Sequence, residues 1–270
     1  MESNEYNDKN TLISESDVHG LLNFEEKVEN INIYRRAFVH KSYCTRKNVN
    51  FYEGNTHCPE GTLPLQEGSN ERMEFLGDAI LHNVIAKYLY SRYPNNDEGW
   101  LTNMRIKLVN GKMLTHLAKA IHIDKFIIIS KQMENKNGRT NDKILEDTFE
   151  SFIAAILLDY DKRNINGYKL GYSYAEKWII NVIEEHVDFA KILLDNTNYK
   201  DKLTKYCQYT YQYIPKFFER NVQNTNDGKI YTIVVKNKQG TVIGIGKDKT
   251  KKGAEVNAAK KALEYFDIID

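Results

Sequence analysis

Hydrophobic and polar positions along the first 190 residues predict a mainly helical body. Apolar residues recur at helical spacing in three stretches, and a fourth stretch is apolar all round, as expected of a buried helix. These stretches are residues 71–90, 100–120, 172–187 and 152–158. Shorter helices are predicted near residues 21–24 and 31–39, and a further helix or turn over 124–130. The pattern therefore favours an all-α arrangement for this part of the chain.

The pattern changes after residue 199. A short helix over 203–209 is followed by a strand that opens at Pro215. Residues 229–236 then alternate, with Tyr231, Ile233 and Val235 on one face, as in a half-buried strand. A turn at 237–240, a strand at 241–246 and a helix over 251–266 complete the chain. The predicted order is helix, three antiparallel strands, helix.

Three polar segments separate these elements. Residues 1–17 are polar and acidic and predict a flexible tail. Residues 46–69 contain three glycines and two prolines, which favour a loop. Residues 188–198 form the predicted junction between the two parts, with 191–198 as the linker.

Composition is that of a soluble globular protein, with 41% hydrophobic and 28% charged residues. No apolar run reaches the ~20 residues of a membrane span, and the N-terminus shows no secretory signal. The three cysteines, Cys44, Cys58 and Cys207, are odd in number and include no CxxC pair. We therefore expect a reducing, cytoplasmic location and no membrane partner.

The formal charge of +1 conceals an asymmetry. From Tyr199 onward there are 14 Lys and Arg against 8 Asp and Glu, so the first 198 residues carry about −5. This distribution of charge is expected if the first part binds metal ions through acidic residues and the second part binds phosphate through basic residues. Ordinary fluctuation of surface charge is the alternative.

Residues 71–90 carry an acidic cluster on one helical face. At about 100° per residue, Glu71, Glu74 and Asp78 project within roughly 60° of one another, and Phe75 lies on the same side. Three carboxylates on one face repel, so either water or a bound cation compensates them. Both a solvated acidic face and a metal site fit this pattern.

A second pair of acids, Asp147 and Glu150, precedes the apolar run of residues 152–158. Acids in the first turns of a helix also interact favourably with the helix dipole, so capping is one interpretation. Glu150 lies next to a buried run, however, where an unpaired carboxylate is costly and a metal ion would remove that cost.

A zinc site from His40, Cys44, His57 and Cys58 is disfavoured because their spacing matches no ordinary zinc motif.

Several strings in the first part of the chain are longer and more specific than a lone pair of acids. The longest is Asn70-Glu71-Arg72-Met73-Glu74-Phe75-Leu76-Gly77-Asp78, which resembles the signature of the ribonuclease III family. His-Lys-Ser-Tyr at 40–43, Leu-Thr-Asn-Met-Arg at 101–105, Gly-Arg-Thr-Asn at 138–141 and Asp-x-x-Glu at 147–150 resemble further family segments in the same order. The connection at 46–69 is longer than is usual in the family, which indicates an insertion.

This resemblance implies a metal-dependent double-strand-specific endoribonuclease. The metal ligands of the family fall on Glu74, Asp78, Asp147 and Glu150, and Glu71 matches an outer acid. Two Mg²⁺ ions, for which Mn²⁺ can substitute, would support hydrolysis to 5′-phosphate and 3′-hydroxyl ends. Phe75 would enter a second subunit, so that a homodimer cuts both strands and leaves short 3′ overhangs. No small-molecule cofactor is implied.

Residues 250–263 resemble the last helix of double-stranded-RNA-binding domains, and Lys249, Lys251 and Lys252 are the predicted phosphate contacts. The expected fold class is therefore two domains, an all-α ribonuclease III endonuclease domain over 18–190 and an α-β-β-β-α double-stranded-RNA-binding domain over 199–270. The second domain departs from its family at Asn224–Gly228, which replaces a Gly-Pro-x-His element, and at Lys205, which replaces a frequent glutamate. We expect it to hold RNA more through charge than through minor-groove contacts.

Two rival functions follow from the same residues. An RNA-binding protein that sequesters duplexes without cleavage would use the basic domain equally well, although the four acids argue against it. A di-iron or di-manganese carboxylate bundle usually needs Glu-x-x-His pairs, and neither acidic segment contains one.

Overall fold

In the computed structural model, which describes residues 5–24, 26–45, 58–165, 167–194, 199–225 and 228–269, the chain divides into two units, residues 1–187 and 188–270. The described part of the first unit is helical and includes a small antiparallel hairpin. Its helices are α1 (Glu15–Leu22), α2 (Ile31–Ala37), α3 (Glu71–Arg92), α4 (Glu98–Val109), α5 (Gly111–Ala120), α6 (Lys131–Asn135), α7 (Asp142–Tyr160) and α8 (Gly171–His186). The hairpin is β1 (Asn164–Ile165) with β2 (Tyr168–Lys169).

Helix α7 is the centre of this unit, and it packs most extensively on α3, then on α5, α8 and α2. Its apolar run is buried from Phe152 to Ile156, as the sequence predicts for a core helix, whereas Leu158 is 38% exposed. The Trp178 ring of α8 lies 5.3 Å from that of Phe149 and 5.2 Å from that of Phe152, measured between centroids. This aromatic packing fixes α7, and the acids it carries, against the core.

The predicted tail differs from the structure over residues 5–17. Asn7 and Asn10 are buried, and their Nδ2 atoms donate to the Ile129 carbonyl at 3.1 and 2.9 Å. Ile13 is 1% exposed, and Ser14 caps α1 through a reciprocal pair of hydrogen bonds with Asp17. The polar composition was misleading because these asparagines satisfy buried backbone groups instead of facing water.

The single helix predicted over 100–120 is two helices, α4 and α5. Asn110 between them has an extended backbone, with φ −75° and ψ 154°. Its Oδ1 accepts from the Met113 N–H at 3.0 Å, and its Nδ2 donates to the carbonyls of Ile106 and Lys107. Asparagine is a strong N-cap, so one side chain ends α4 and begins α5 while the apolar spacing continues through the break.

Of the predicted insertion, residues 58–69 are described and contain no helix, whereas 46–57 lie outside the described residues. The end of this segment returns to the body of the unit. Gln66 donates its N–H to the Tyr43 carbonyl at 3.0 Å, and the Tyr43 hydroxyl donates to the Leu63 carbonyl at 2.6 Å. Helix α6 and the β1–β2 hairpin were not predicted, since both are too short to show a periodic pattern.

The second unit contains a short helix α9 (Phe189–Leu194) and then the order that the sequence predicts. This order is α10 (Tyr199–Tyr211), β3 (Lys216–Thr225), β4 (Gly228–Lys236), β5 (Val242–Asp248) and α11 (Lys251–Tyr265), with the strands antiparallel in the order β3-β4-β5. Gly244 and Gly246 let α11 lie close to β5, because an added Cβ atom would come within 2.2 Å of the Ala258 carbonyl oxygen and 2.1 Å of that of Ala254. The core of this unit forms between the sheet and the alanine face of α11.

Cys44 and Cys58 are half-buried and Cys207 is buried, and all three are free thiols. Within the described ranges, no helix combines the length and the apolar character needed to cross a lipid bilayer.

Candidate functional site

Three carboxylates from two helices meet in the first unit. Glu74 projects from α3, and Asp147 and Glu150 project from α7. One oxygen atom of each lies within 4.8 Å of the others, and this is the group of possible metal ligands found among the described residues. The two acidic segments, 73 residues apart in the chain, thus contribute to one site.

A glycine allows the two helices to approach this closely. A Cβ atom added to Gly77 of α3 would lie 1.8 Å from the backbone carbonyl oxygen of Glu150 and 2.5 Å from its carbonyl carbon. Any side chain at this position would push α3 and α7 apart. Gly77 therefore sets the distance between the acids of one helix and those of the other.

Asn70 fixes the N-terminus of α3. Its N–H donates to the Val39 carbonyl at 2.8 Å, and its Nδ2 donates to the Ala37 carbonyl at 3.1 Å. Its own carbonyl accepts from the Ser151 hydroxyl of α7 at 3.3 Å. Buried hydrogen bonds of this kind hold the register of the two helices, and with it the position of Glu74 opposite α7.

Glu150 is the most buried acid of the group, with 6% of the residue exposed. Burial, and after it the negative charges of Asp78 and Glu146, together raise its pKa to about 8. The pKa of Glu74 is also raised, first by burial and then by Asp147. Carboxylates held in this way have a strong tendency to bind either protons or a cation.

Lys143, in the first turn of α7, lies beside the same acids. Its Nζ is 2.8 Å from Asp147 Oδ1, 3.6 Å from Glu146 Oε1 and 3.8 Å from Glu74 Oε1. Asp147 Oδ1 is shielded from water and has no directed hydrogen-bond donor, and its contact with Lys143 is an ion pair. Such an oxygen atom retains its capacity to bind a cation.

Two further predicted acids lie outside this group of three. Asp78 is exposed, and its Oδ1 lies 3.3 Å from His82 Nε2 one turn later. Glu71 accepts from the Ser69 hydroxyl at 2.8 Å and from Lys41 Nζ at 3.1 Å, and these two contacts lower its pKa. Asp78 is nevertheless near enough to raise the pKa of Glu150, so it belongs to the electrostatic surroundings of the cluster.

The donor set suits a hard divalent cation. All three converging groups are carboxylates, which Mg²⁺ and Mn²⁺ prefer over nitrogen or sulfur. The shielded oxygen of Asp147 and the raised pKa of Glu150 both indicate negative charge that the protein compensates incompletely. The residues present therefore fit a divalent metal ion.

The zinc alternative gains nothing from the described residues. His40 and Cys44 belong to no group of three possible metal ligands there, and Cys58 Sγ lies 3.3 Å from the Thr62 hydroxyl. His57 lies outside the described residues.

Phe75 lies beside the acids, and 81% of the residue is exposed. Its neighbours on the core side of α3, Met73 and Gly77, are buried. A large aromatic side chain so accessible to water is a candidate for contact with another surface.

The predicted phosphate contacts of the second unit cluster where β5 ends and α11 begins. Lys249, Lys251 and Lys252 are all exposed, and Lys251 Nζ lies 3.3 Å from Glu219 Oε2. The Thr250 hydroxyl accepts from the Gly253 N–H at 3.0 Å, so this N–H donor of the helix end is already satisfied. Lys205 of α10 lies 3.2 Å from Asp201. In the altered loop, residues 226 and 227 lie outside the described residues.

Sequence reasoning missed four residues that shape the site: Asn70, Gly77, Lys143 and Glu146. Lys143 could have been found from its spacing, since it precedes Asp147 by four residues on one helix. The roles of Asn70 and Gly77 depend on the crossing of α3 and α7, which no local pattern reveals.

Comparison with family models identifies both units. The model described as the ribonuclease III domain matches residues 71–161, and the model described as the double-stranded RNA binding motif matches residues 199–266. The first match contains all four predicted metal ligands, and the second contains all three predicted phosphate contacts.

Similar proteins carry related names. A probable ribonuclease 3 of Acanthamoeba polyphaga mimivirus is 31% identical over 97% of this chain, which spans about half (47%) of that longer protein. Ribonuclease 3 of Enterococcus faecalis is 33% identical over 87% of this chain and 90% of its own length, and that of Chlorobaculum tepidum is 31% identical over 88% and 79%. A solved nuclease domain of ribonuclease III from Campylobacter jejuni, 26% identical, covers 64% of this chain and 98% of its own, with a TM-score of 0.49.

Proposed function

This chain belongs to the ribonuclease III family of endonucleases, and from that premise we propose that it hydrolyses double-stranded RNA at a two-metal site formed by Glu74, Asp78, Asp147 and Glu150. Mg²⁺ is the proposed metal, and Mn²⁺ can substitute for it. The proposed products carry 5′-phosphate and 3′-hydroxyl ends.

The convergence of Glu74, Asp147 and Glu150 within 4.8 Å supports this proposal most directly. Three carboxylates that face one another without enough positive charge are costly in a protein that binds no cation. The shielded Asp147 oxygen without a directed donor points to the same conclusion. A structural role alone does not explain why both helices place acids at their crossing point.

The residues of the site have different proposed roles. Glu74, Asp147 and Glu150 would supply the converging oxygen ligands for divalent ions, and Asp78, at the rim, would supply a fourth carboxylate. Ions held there would provide an activated water molecule and stabilisation of the leaving oxygen in an in-line displacement. The packing of Gly77 against the Glu150 backbone holds these ligands at a fixed separation, so that little reorganisation is needed during the reaction.

We propose that the active form is a homodimer in which Phe75 enters a socket of the second subunit. Each subunit then contributes one acidic cluster, and the two clusters cut opposite strands to leave short 3′ overhangs. The 81% exposure of Phe75 next to Glu74 supports this assignment, because a buried position would prevent contact with a partner.

The second unit is proposed to hold the RNA duplex, as its match to the double-stranded RNA binding motif supports. The domain boundaries proposed are 18–190 for the endonuclease and 199–270 for the RNA-binding domain. The three lysines at the start of α11 would contact phosphate, and with the altered 224–228 loop we propose that charge dominates this binding.

Purified protein, long double-stranded RNA and Mg²⁺ test the proposal, with Glu150→Gln as the inactive variant. Short duplexes with 3′ overhangs are expected from wild type and are expected to be absent from Glu150→Gln. Glu60→Gln, an exposed acid of the loop before α3, is the matched control and should cleave like wild type.

Tight RNA binding without cleavage in either Mg²⁺ or Mn²⁺ would contradict the proposal and favour a protein that sequesters duplexes. Full activity of Glu150→Gln would contradict the assignment of the metal ligands alone. Mapping the product ends by ligation and sequencing distinguishes the proposed end chemistry from 3′-phosphate products.

A further inference from the structure

Among the described residues, Lys143 forms ion pairs with two members of the acidic cluster, Glu74 and Asp147. Its ammonium group lies within 3.8 Å of carboxylate oxygens on both helices, those of Glu74 on α3 and of Glu146 and Asp147 on α7. The 2.8 Å contact is with Asp147 Oδ1, the shielded oxygen that lacks a directed donor. The side chain itself is 63% exposed, so it is able to leave this position.

The stability of α7 does not explain this arrangement. Helix α7 begins at Asp142, so Lys143 lies in its first turn, where the helix dipole disfavours a positive charge. The N–H of Lys143 is already capped by Asn141 Oδ1 at 3.0 Å, independently of its side chain. The favourable partners of the ammonium group are therefore the acids of the cluster.

We propose that Lys143 is a tethered counterion that competes with the divalent metal for the oxygens of Asp147 and Glu74. This inference rests on the proposed function, since it presupposes that these acids bind metal. Without metal, the ammonium group partly neutralises the cluster. Metal binding displaces it, so the contacts of Lys143 must be lost before the metal contacts form. The affinity for metal is lowered by that cost, and Lys143 sets the concentration at which the site fills.

Glu146 keeps the ammonium group of Lys143 near the cluster after the metal displaces it. Its Oε1 lies 3.6 Å from Lys143 Nζ, yet Glu146 is outside the group of three converging ligands. Its other oxygen, Oε2, would lie 2.6 Å from a Cβ atom added to Gly111, so the carboxylate faces the start of α5. Glu146 thus gives the displaced ammonium group a remaining partner next to the cluster.

Metal binding to the full chain without RNA tests this proposal. Free Mn²⁺ is counted by electron paramagnetic resonance during titration of wild type, Lys143→Met, Lys143→Arg and Lys119→Met. Lys119 is the matched control, because its Nζ also pairs with an acid of α7, Asp142 at 3.2 Å, but outside the cluster. Lys143→Met is expected to bind Mn²⁺ about fivefold more tightly than wild type. Lys143→Arg and Lys119→Met are expected to stay within about twofold of wild type.

Thermal unfolding in EDTA and in saturating Mg²⁺ is a second measurement, and it distinguishes competition with metal from a purely structural role of Lys143. In EDTA, Lys143→Met is expected to have a lower Tm than wild type. In saturating Mg²⁺ its Tm is expected to equal that of wild type, so the Tm difference between the two conditions is larger for the variant. An equal loss of Tm in both conditions, or Mn²⁺ affinity equal to or weaker than that of wild type, would overturn the proposal. If wild type itself binds no Mn²⁺, the proposed metal site fails and the competition fails with it, whereas wild-type binding with an unchanged Lys143→Met affinity contradicts only the competition.

Discussion

Gly77 and Glu150 are in contact through the backbone, although they lie on different helices. The α-carbon of Gly77 faces the carbonyl oxygen of Glu150 so closely that a Cβ atom would lie 1.8 Å from that oxygen. The same contact places Glu74, one turn before Gly77, opposite Asp147 and Glu150. Helix packing and the geometry of the candidate active site thus depend on one hydrogen atom in place of a side chain.

Gly77→Ala is therefore expected to destabilise the protein and to reduce cleavage. Forcing α3 and α7 apart should cost about 1–3 kcal/mol of unfolding free energy or more, and should separate the ligands on the two helices. Urea denaturation and RNA cleavage measure the two effects. The control is Gly20→Ala in α1, where a Cβ atom meets nothing within 4 Å and the better helix former should be neutral or stabilising. Equal stability of the Gly77 variant and wild type would contradict this account of the crossing.

The raised pKa of Glu150 predicts a stability that depends on pH in the absence of metal. Its value of about 8 in the folded protein exceeds the ordinary carboxyl value of 4.5, so the folded state binds more protons between these limits. The stabilisation conferred by protonated Glu150 is fully present below about pH 4.5 and is lost as the pH rises through about 8. The ionised group therefore destabilises the metal-free fold at high pH.

Glu150→Gln should remove this penalty while abolishing cleavage. In EDTA at pH 8.5, we expect its Tm to exceed that of wild type by about 2–4 °C for each kcal/mol gained, with a smaller difference at pH 5. Saturating Mg²⁺ should reverse the order, since it stabilises the wild-type site and not the variant. A Tm of the variant below that of wild type in EDTA at pH 8.5 would show that Glu150 is not under electrostatic strain.

Phe75→Asp is expected to weaken the proposed dimer. An anchor residue at the centre of an interface typically contributes about 2 kcal/mol or more, so the dimer dissociation constant should rise roughly 30-fold. Sedimentation velocity at several concentrations measures this change. Tyr168→Asp is the control, because Tyr168 is similarly exposed, at 76%, but lies on the β1–β2 hairpin. A Phe75 variant that still sediments as wild type would contradict the assignment of this residue.

The lysines at the start of α11 should differ in their effect on RNA binding. Lys249→Ala and Lys252→Ala are each expected to weaken binding and to reduce the slope of log K against log salt by about 1. Lys251→Ala should have a smaller effect, because its ammonium group already pairs with Glu219 at 3.3 Å. Each lysine variant is made in the catalytically inactive Glu150→Gln protein, which serves as the background. Filter binding of double-stranded RNA from low to high salt then measures these slopes.

Lys261→Ala is the control for this series, since Lys261 lies further along α11 and pairs with Glu264 at 2.6 Å. Its Kd and salt slope should match those of the background protein. A weak salt slope in the background protein itself would contradict the proposal that charge dominates this interface.

The periodic pattern correctly predicted the long helices and the order of elements in the second unit, because amphipathic spacing records which face of an element is buried. It failed where polar side chains serve the interior. Asn7 and Asn10 satisfy the backbone of Ile129, so a polar segment that predicted a tail is packed on the body. Asn110 breaks a helix whose apolar spacing continues without interruption. In both cases the determining contact is a hydrogen bond to a specific backbone group, which composition does not encode.

The sequence by itself determined the helix that carries each acid and the side of the helix on which that acid lies, because both follow from a fixed rotation per residue. Only the tertiary structure decided which acids meet. Glu71, Glu74 and Asp78 share one face of α3, yet only Glu74 converges with Asp147 and Glu150, while Glu71 pairs with Lys41 and Asp78 lies beside His82. The separation and register of two helices depend on distant contacts such as those of Gly77 and Asn70, and these contacts exist only after the chain has folded.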